Sequence, residues 1–154
     1  MTSECGRDLS GRVLHPGAAA GELLVLDAPL SFWGGVDPAG RVVDVHHPQH
    51  GDVLAGRVVA MPSGRGSSSS SSVLAEQIRT GSAPAAVLMA EADGIVVLGA
   101  LVAAELYGRS MPIVQVAPDV LAALPRRGHV EVRAEDGSGP GLVRIDLNRG
   151  AGGA

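Results

Sequence analysis

The 154-residue chain is 45% apolar, enough to fill the core of one domain, and its net charge of -4 with a pI near 5.7 leaves no electrostatic footprint for nucleic acid or an anionic membrane. Neither is expected as a partner. All twelve basic residues are arginine, which excludes a lysine Schiff base or lysine phosphate clamp, and with only Phe32, Trp33 and Tyr107 as aromatics the core must be built from Val, Leu, Ile and Ala.

The chain opens on a polar stretch that holds its single cysteine, Cys5. One thiol makes no internal disulfide and cannot by itself hold an iron-sulfur cluster. No basic-then-apolar leader opens the sequence and no uninterrupted apolar run of about 18 residues occurs, so cytoplasmic residence is the expectation. Residues 1–9 are expected as a flexible tail, 10–147 as one domain, and the glycine-rich 148–154 as a second tail.

Residues 11–16 read as a short strand ended by Pro16, with His15 a packed or rim histidine. Residues 21–27, Gly-Glu-Leu-Leu-Val-Leu-Asp, read as a strand buried on both faces. Phe32 and Trp33 then fall against Gly34-Gly35 and an Asp37-Pro38-Ala39-Gly40 turn signal. Two readings of this loop stand side by side: a tight turn with a hydrophobic plug, or a surface where glycines let the backbone approach a ligand or another chain. Both require order.

Val42 and Val43 start a short strand leading to His46, His47 and His50. Imidazole is a common metal ligand, but Pro48 interrupts the helical geometry that would align His46 with His50, and no cysteine or carboxylate pair completes a ligand set. A polar rim loop is expected, and no metal site is assigned.

The chemistry centres on the next stretch. An apolar strand over residues 57–61 runs into Met61-Pro62-Ser63-Gly64-Arg65-Gly66, six serines at 67–72, and a helix over about 71–79 closed by Thr80-Gly81. Alone, a serine run reads as a linker. The chain on either side is too short for two generous cores, so an ordered loop inside one domain is expected. A turn that leaves a strand and opens a helix presents unpaired N–H groups where the helix dipole favours negative charge, which suits a carboxylate or phosphate. Arg65 adds a permanently charged fork, and Ser67, Ser68 and Ser69 add hydroxyls.

Residues 83–90 lead into a buried strand. Glu91 and Asp93 follow as a solvated turn or a paired-carboxylate site. Residues 94–108 form a core helix, 111–116 another buried strand, and 118–124 a short helix with proline in its first turn. Residues 129–133 and 142–147 alternate with period two around Asp136-Gly137-Ser138-Gly139, as a hairpin does. The whole is an α/β domain, β-rich at both ends and βαβα between.

Several of these pieces, in this order, carry a resemblance. Pro29-Leu30-Ser31-Phe32-Trp33-Gly34-Gly35-Val36-Asp37-Pro38, His47-Pro48, Gly64-Arg65-Gly66-Ser67-Ser68-Ser69, Ala83-Pro84-Ala85 and Gly99-Ala100 resemble the small, swivelling-domain subunit of the aconitase X family over roughly residues 10–147. The resemblance implies a swivelling β/β/α fold, a compact mixed sheet or barrel flanked by helices, packed over a large aconitase X subunit with the active site between them. It implies a hydro-lyase acting on a small carboxylate or phosphate substrate, cis-3-hydroxy-L-proline or, as the alternative, phosphomevalonate. It also implies an iron-sulfur cluster held by the large subunit and not by this chain. Carried onto this sequence, Ser67 is the catalytic base, and Arg65, Gly66, Ser68 and Ser69 bind substrate, with Gly35 and Asp37 of the aromatic loop as further candidates. Many relatives have a glycine within the serine run, whereas this chain has serine throughout 67–72, which leaves the choice between Ser67 and Ser68 open.

Overall fold

The structure, a computed structural model, describes residues 6–66, 68–135 and 139–146. Seven strands close into a barrel in the order β1-β5-β4-β3-β2-β6-β7. They are β1 Gly6–His15, β2 Gly17–Val25, β3 Val58–Met61, β4 Ala86–Met89, β5 Ile113–Gln115, β6 His129–Ala134 and β7 Gly141–Asp146. Helices α1 Ser69–Thr80, α2 Gly94–Tyr107 and α3 Pro118–Ala122 occupy the crossovers and follow β5. Strands β2, β3, β4 and β5 run parallel to one another, while β1 pairs antiparallel with β5 and β7, and β6 antiparallel with β2 and β7.

Burial explains which sequence became which strand. In β3 all four residues are buried, Val58 and Ala60 inside the barrel and Val59 and Met61 beneath the helices. Strand β4 divides the same way, Ala86 and Leu88 inward, Val87 and Met89 outward. A strand covered on both faces needs a continuous apolar run. In β6 and β7 only alternate residues, Val130, Val132, Ala134, Val143 and Ile145, enter the barrel, and the alternation seen in the sequence follows. No aromatic residue is among those described in the barrel interior; aliphatic side chains fill it.

Two long strands tie the halves together. Strand β1 pairs with β7 over 6–11 and with β5 over 12–15, and β2 pairs with β6 over 17–22 and with β3 over 23–25. The expected two-faced burial of residues 21–27 therefore holds only at Leu23, Leu24 and Leu26; before them β2 alternates, because its outer face there looks onto solvent. Residues 6–9, placed in the tail by the sequence, are paired with β7. The strand expected at Val42 and Val43 is reduced to single bridges, Val36 to Val42 and Arg41 to Val53. The expected turn at 136–138, the tail from 148 and Cys5 lie outside the described residues. Among the described residues no helix is long and apolar enough to cross a membrane.

Helix α1 buries Leu74, Ala75 and Ile78 against the sheet and turns the Glu76–Arg79 ion pair outward, where solvent screening leaves such a pair little weight in stability. It ends at Gly81, whose N–H donates to the Gln77 carbonyl at 2.9 Å. Helix α2 packs beside it.

Candidate functional site

Parallel strands place their carboxyl ends, and the starts of the helices that follow, on one rim, where α/β sheets bind ligands. On that rim the β3-to-α1 turn, residues 62–68, is held from three sides. The Pro62 carbonyl accepts the N–H groups of Ala90 (3.2 Å) and Glu91 (3.0 Å) from beyond β4. Gly64 bridges in parallel to Leu30 and lies so close under Asp93 that a β-carbon would overlap its carboxylate. Gly66, at φ +112, lies against the Ser31 hydroxyl. Only glycine combines that backbone angle with that approach.

The aromatic loop straps across the helix start. Ser31 Oγ donates to the Trp33 carbonyl (2.8 Å), and the Trp33 N–H is shared between Ser31 Oγ (3.2 Å) and Ser70 Oγ (3.3 Å). The Ser31 and Ser70 hydroxyls are 3.4 Å apart. Ser70 is buried, whereas Arg65, Gly66, Ser68 and Ser69 are exposed. Phe32 is buried in the core and Trp33 is 60% exposed. Each reading of the aromatic loop thus fits one residue: Phe32 is the plug and Trp33 faces outward.

Two helices begin on this rim with different capping. At α2, Asp93 Oδ1 accepts the N–H groups of Ile95 (2.8 Å) and Val96 (3.4 Å), so the positive helix end already has its carboxylate. The Asp-Gly pair before an apolar run signals that cap, and it settles the role of Asp93 in place of the solvated turn or paired-carboxylate site; Glu91 is exposed. At α1 the N-cap residue, Ser68, makes no side-chain capping bond, and no acidic residue lies in the first turn. An external anion is therefore favoured at α1 rather than α2. No ion pair joins Arg65 to a described carboxylate, which leaves its charge available beside that helix end.

The expected site residues are only partly brought together. Arg65, Gly66, Ser68 and Ser69 share the turn, and Ser67 lies outside the described residues, between two that are described. Gly35 is buried behind Ser31 and accepts the Val43 N–H at 2.9 Å. Asp37 is spent on its own turn: Oδ1 accepts the N–H groups of Ala39 (3.0 Å) and Arg41 (2.9 Å), and its carbonyl accepts Gln77 Nε2 (3.0 Å). Gln77 is eight residues beyond Ser69, so Asp37 sits about 12 Å along α1 from the helix start. Ser31 and Ser70, which the sequence did not single out, hold the two loops together.

The histidine loop is anchored rather than ligating. The Gln49 N–H donates to His47 Nδ1 (3.0 Å), which leaves the proton on Nε2 to meet the Ala28 carbonyl (3.0 Å). Gln49 Nε2 donates to Asp27 (2.7 Å), and Arg126 donates to both Asp27 oxygens (2.8 and 2.9 Å). Those bonds hold the Asp27 carboxyl at a pKa of about 2, the Arg126 fork contributing most and Gln49 next. His46 and His50 are exposed, and the described residues include no group of three or more His, Cys, Asp or Glu placed to hold a metal ion.

A cavity of about 340 Å³ lies over the antiparallel face, lined by Asp8, Glu131, Arg133 and Arg144. Small-molecule sites bury most of their ligand. Among the described residues of this turn, Arg65, Gly66 and Ser68 present binding groups on an exposed rim.

The class these features define is a β/β/α barrel domain that presents the start of α1 and Arg65 at the edge of its parallel strands. The aconitase X swivel domain model matches residues 8–139, and the chain belongs to that family. It is 50% identical over 143 residues to a cis-3-hydroxy-L-proline dehydratase of Pseudomonas aeruginosa, covering 91% of this chain and 23% of that protein. It is 39% identical over 128 residues to the phosphomevalonate dehydratase small subunit of Methanothermobacter thermautotrophicus, covering 82% of this chain and 93% of the other. The crystal structure of Thermococcus kodakaraensis aconitase X in its holo-form superposes with a TM-score of 0.77 at 34% identity, covering 90% of this chain and 98% of that one. The chain thus spans about a quarter of the hydroxyproline dehydratase and nearly all of a small subunit.

Proposed function

We propose that this chain is the small, swivelling subunit of a cytoplasmic two-subunit hydro-lyase that dehydrates cis-3-hydroxy-L-proline to Δ1-pyrroline-2-carboxylate. The observation that carries the reading is the 50% identity across 91% of the chain to a protein named for that reaction. The turn at the start of α1 supplies the chemistry. Arg65, the Gly66 backbone, Ser68 and Ser69 receive the substrate carboxylate, and Gly35 and Asp37 act through the loop they brace.

Ser67 is the base. It takes the proton from the carbon that bears the carboxylate, the freed electron pair forms a double bond to the neighbouring carbon, and hydroxide leaves from that neighbour. The resulting enamine tautomerises to the imine product. A serine hydroxyl is a poor base in water, so its ionised form needs oriented amides and a nearby cation. The uncapped helix start and Arg65 are suited to both tasks. Dehydratases of this family are generally iron-sulfur enzymes. The described residues offer no ligand set for a cluster, and its ligands are assigned to the large subunit.

One observation favours phosphomevalonate as a second substrate reading: the match to a separately encoded small subunit over 93% of its length. Both are tested by adding the large aconitase X subunit from the same organism to this chain and assaying the two dehydrations. Activity is expected only in the mixture and with cis-3-hydroxy-L-proline; turnover of phosphomevalonate alone selects the second reading, and no turnover of either overturns the proposal. Ser67→Ala is expected to lower turnover by roughly 10²–10⁴-fold while the subunits still assemble. Near-normal turnover in the assembled variant removes Ser67 from the role.

A further inference from the structure

Trp33 is the sole tryptophan, and it is 60% exposed although its backbone is fixed by three hydrogen bonds to Ser31 and Ser70. A large apolar ring held rigidly in water loses burial without gaining freedom, so its placement asks for a partner. It is not alone. The Val36–Val42 bridge, continued by the Val43 N–H to the Gly35 carbonyl, sends residues 33–34 and 44–45 out at the same end. Val43 is 39% exposed there and Val45 70%. Trp33 is tied to the start of α1 through Ser70, and Val43 and Val45 follow in the chain from Val42, the bridge partner of Val36.

We infer that Trp33, flanked by Val43 and Val45, is the anchor on which the large subunit docks, so that the contact which joins the subunits also closes the rim over the serine turn. This rests on the proposed two-subunit function. The occupant follows from two observations. The chain accounts for 23% of a 50%-identical dehydratase, so the body that completes such an enzyme is the remainder of that protein. The patch is also joined to the turn proposed to carry the chemistry, through the Trp33 N–H to Ser70 Oγ bond. Buried tryptophans at the centre of an interface carry much of its binding energy.

The test uses the full chain and the large aconitase X subunit from the same organism, purified apart. Trp33→Ala is expected to weaken their association about thirtyfold or more. Its thermal unfolding is expected to match the wild type, since the side chain is mostly outside the core. Leu106→Ala, exposed at the far end of α2, is expected to change neither. Fluorotryptophan incorporated into this chain alone gives a single resonance, which is expected to shift and lose solvent accessibility on adding unlabelled large subunit. Wild-type association with an equal Kd for Trp33→Ala and an unmoved resonance overturns this inference and leaves the proposed function standing. Equal Kd with a raised KM makes Trp33 a substrate contact and also overturns it. No association of the wild type overturns both.

Discussion

Gly66 shows how narrow the tolerance is at the serine turn. Its φ of +112 is a region that side-chain-bearing residues rarely adopt, and a β-carbon there would overlap the Ser31 hydroxyl. Gly66→Ala is therefore expected to destabilise the fold by about 1–3 kcal/mol, read as a lower urea midpoint. Because the strain is relieved by moving the aromatic loop away from α1, turnover of the assembled enzyme should fall as well. The glycine was legible in the sequence as part of a Gly-Arg-Gly turn. Its partner was not, since Ser31 lies 35 residues earlier and is brought to it by contacts made only in the fold, the Leu30 to Gly64 bridge and the Trp33 N–H to Ser70 Oγ bond among them. Asp37 illustrates the opposite case: a carboxylate in an Asp-Pro-x-Gly signal reads equally as a ligand group or as a turn former, and the two N–H donors from Ala39 and Arg41 identify it as the latter within this chain.

At the scale of elements, the two helix starts on the rim are distinguished by capping. Asp93 closes α2 and simultaneously covers Gly64, so one side chain serves a helix end and the neighbouring turn. Asp93→Ala is expected to cost about 1 kcal/mol, the usual range for a lost cap, measured by urea unfolding. If α1 alone binds the anion, this variant should keep its apparent substrate affinity to within a fewfold once assembled; a larger loss assigns part of the anion site to α2. The helices themselves were well marked: apolar spacing, Pro118 at the third and glycines at the ends of the first two set their limits within a residue or two. The short strand at Val42 and Val43 was misjudged because a two-residue apolar run cannot show whether a neighbouring strand exists to pair with it. The chain forms single bridges there instead, since the 33–56 excursion folds mainly on its own turns.

For the whole molecule, the contact between Asp27 at the end of β2 and Arg126 ahead of β6 joins distant parts of the chain, with Gln49 linking the histidine loop. The folded-state pKa of Asp27 is lowered to about 2 from an ordinary value near 3.8. Its contribution is thus fully present above about pH 4 and is lost as the pH falls towards about 2. Both side chains are substantially exposed, so screening holds this to about 1 kcal/mol at most. The stability difference between wild type and Arg126→Ala, followed by urea unfolding from pH 7 downward, should shrink across that window. A difference unchanged at pH 2 would assign the effect of Arg126 to packing rather than to the ion pair.

The same contrast of scales separates what the chain alone determined from what required the fold. The order of the barrel strands and helices, the apolar runs that became β3 and β4, the alternation of β6 and β7, and the Gly-Arg-Gly-Ser turn before α1 were legible, because each depends on periodicity, propensity or a local backbone angle carried by neighbouring residues. Barrel closure, the sharing of β1 and β2 between its halves, the division of labour between buried Phe32 and exposed Trp33, and the meeting of Ser31 with Ser70 were decided only in three dimensions. Those features depend on which faces become covered and on contacts between residues tens of positions apart, and no pattern within a local window of sequence carries that information.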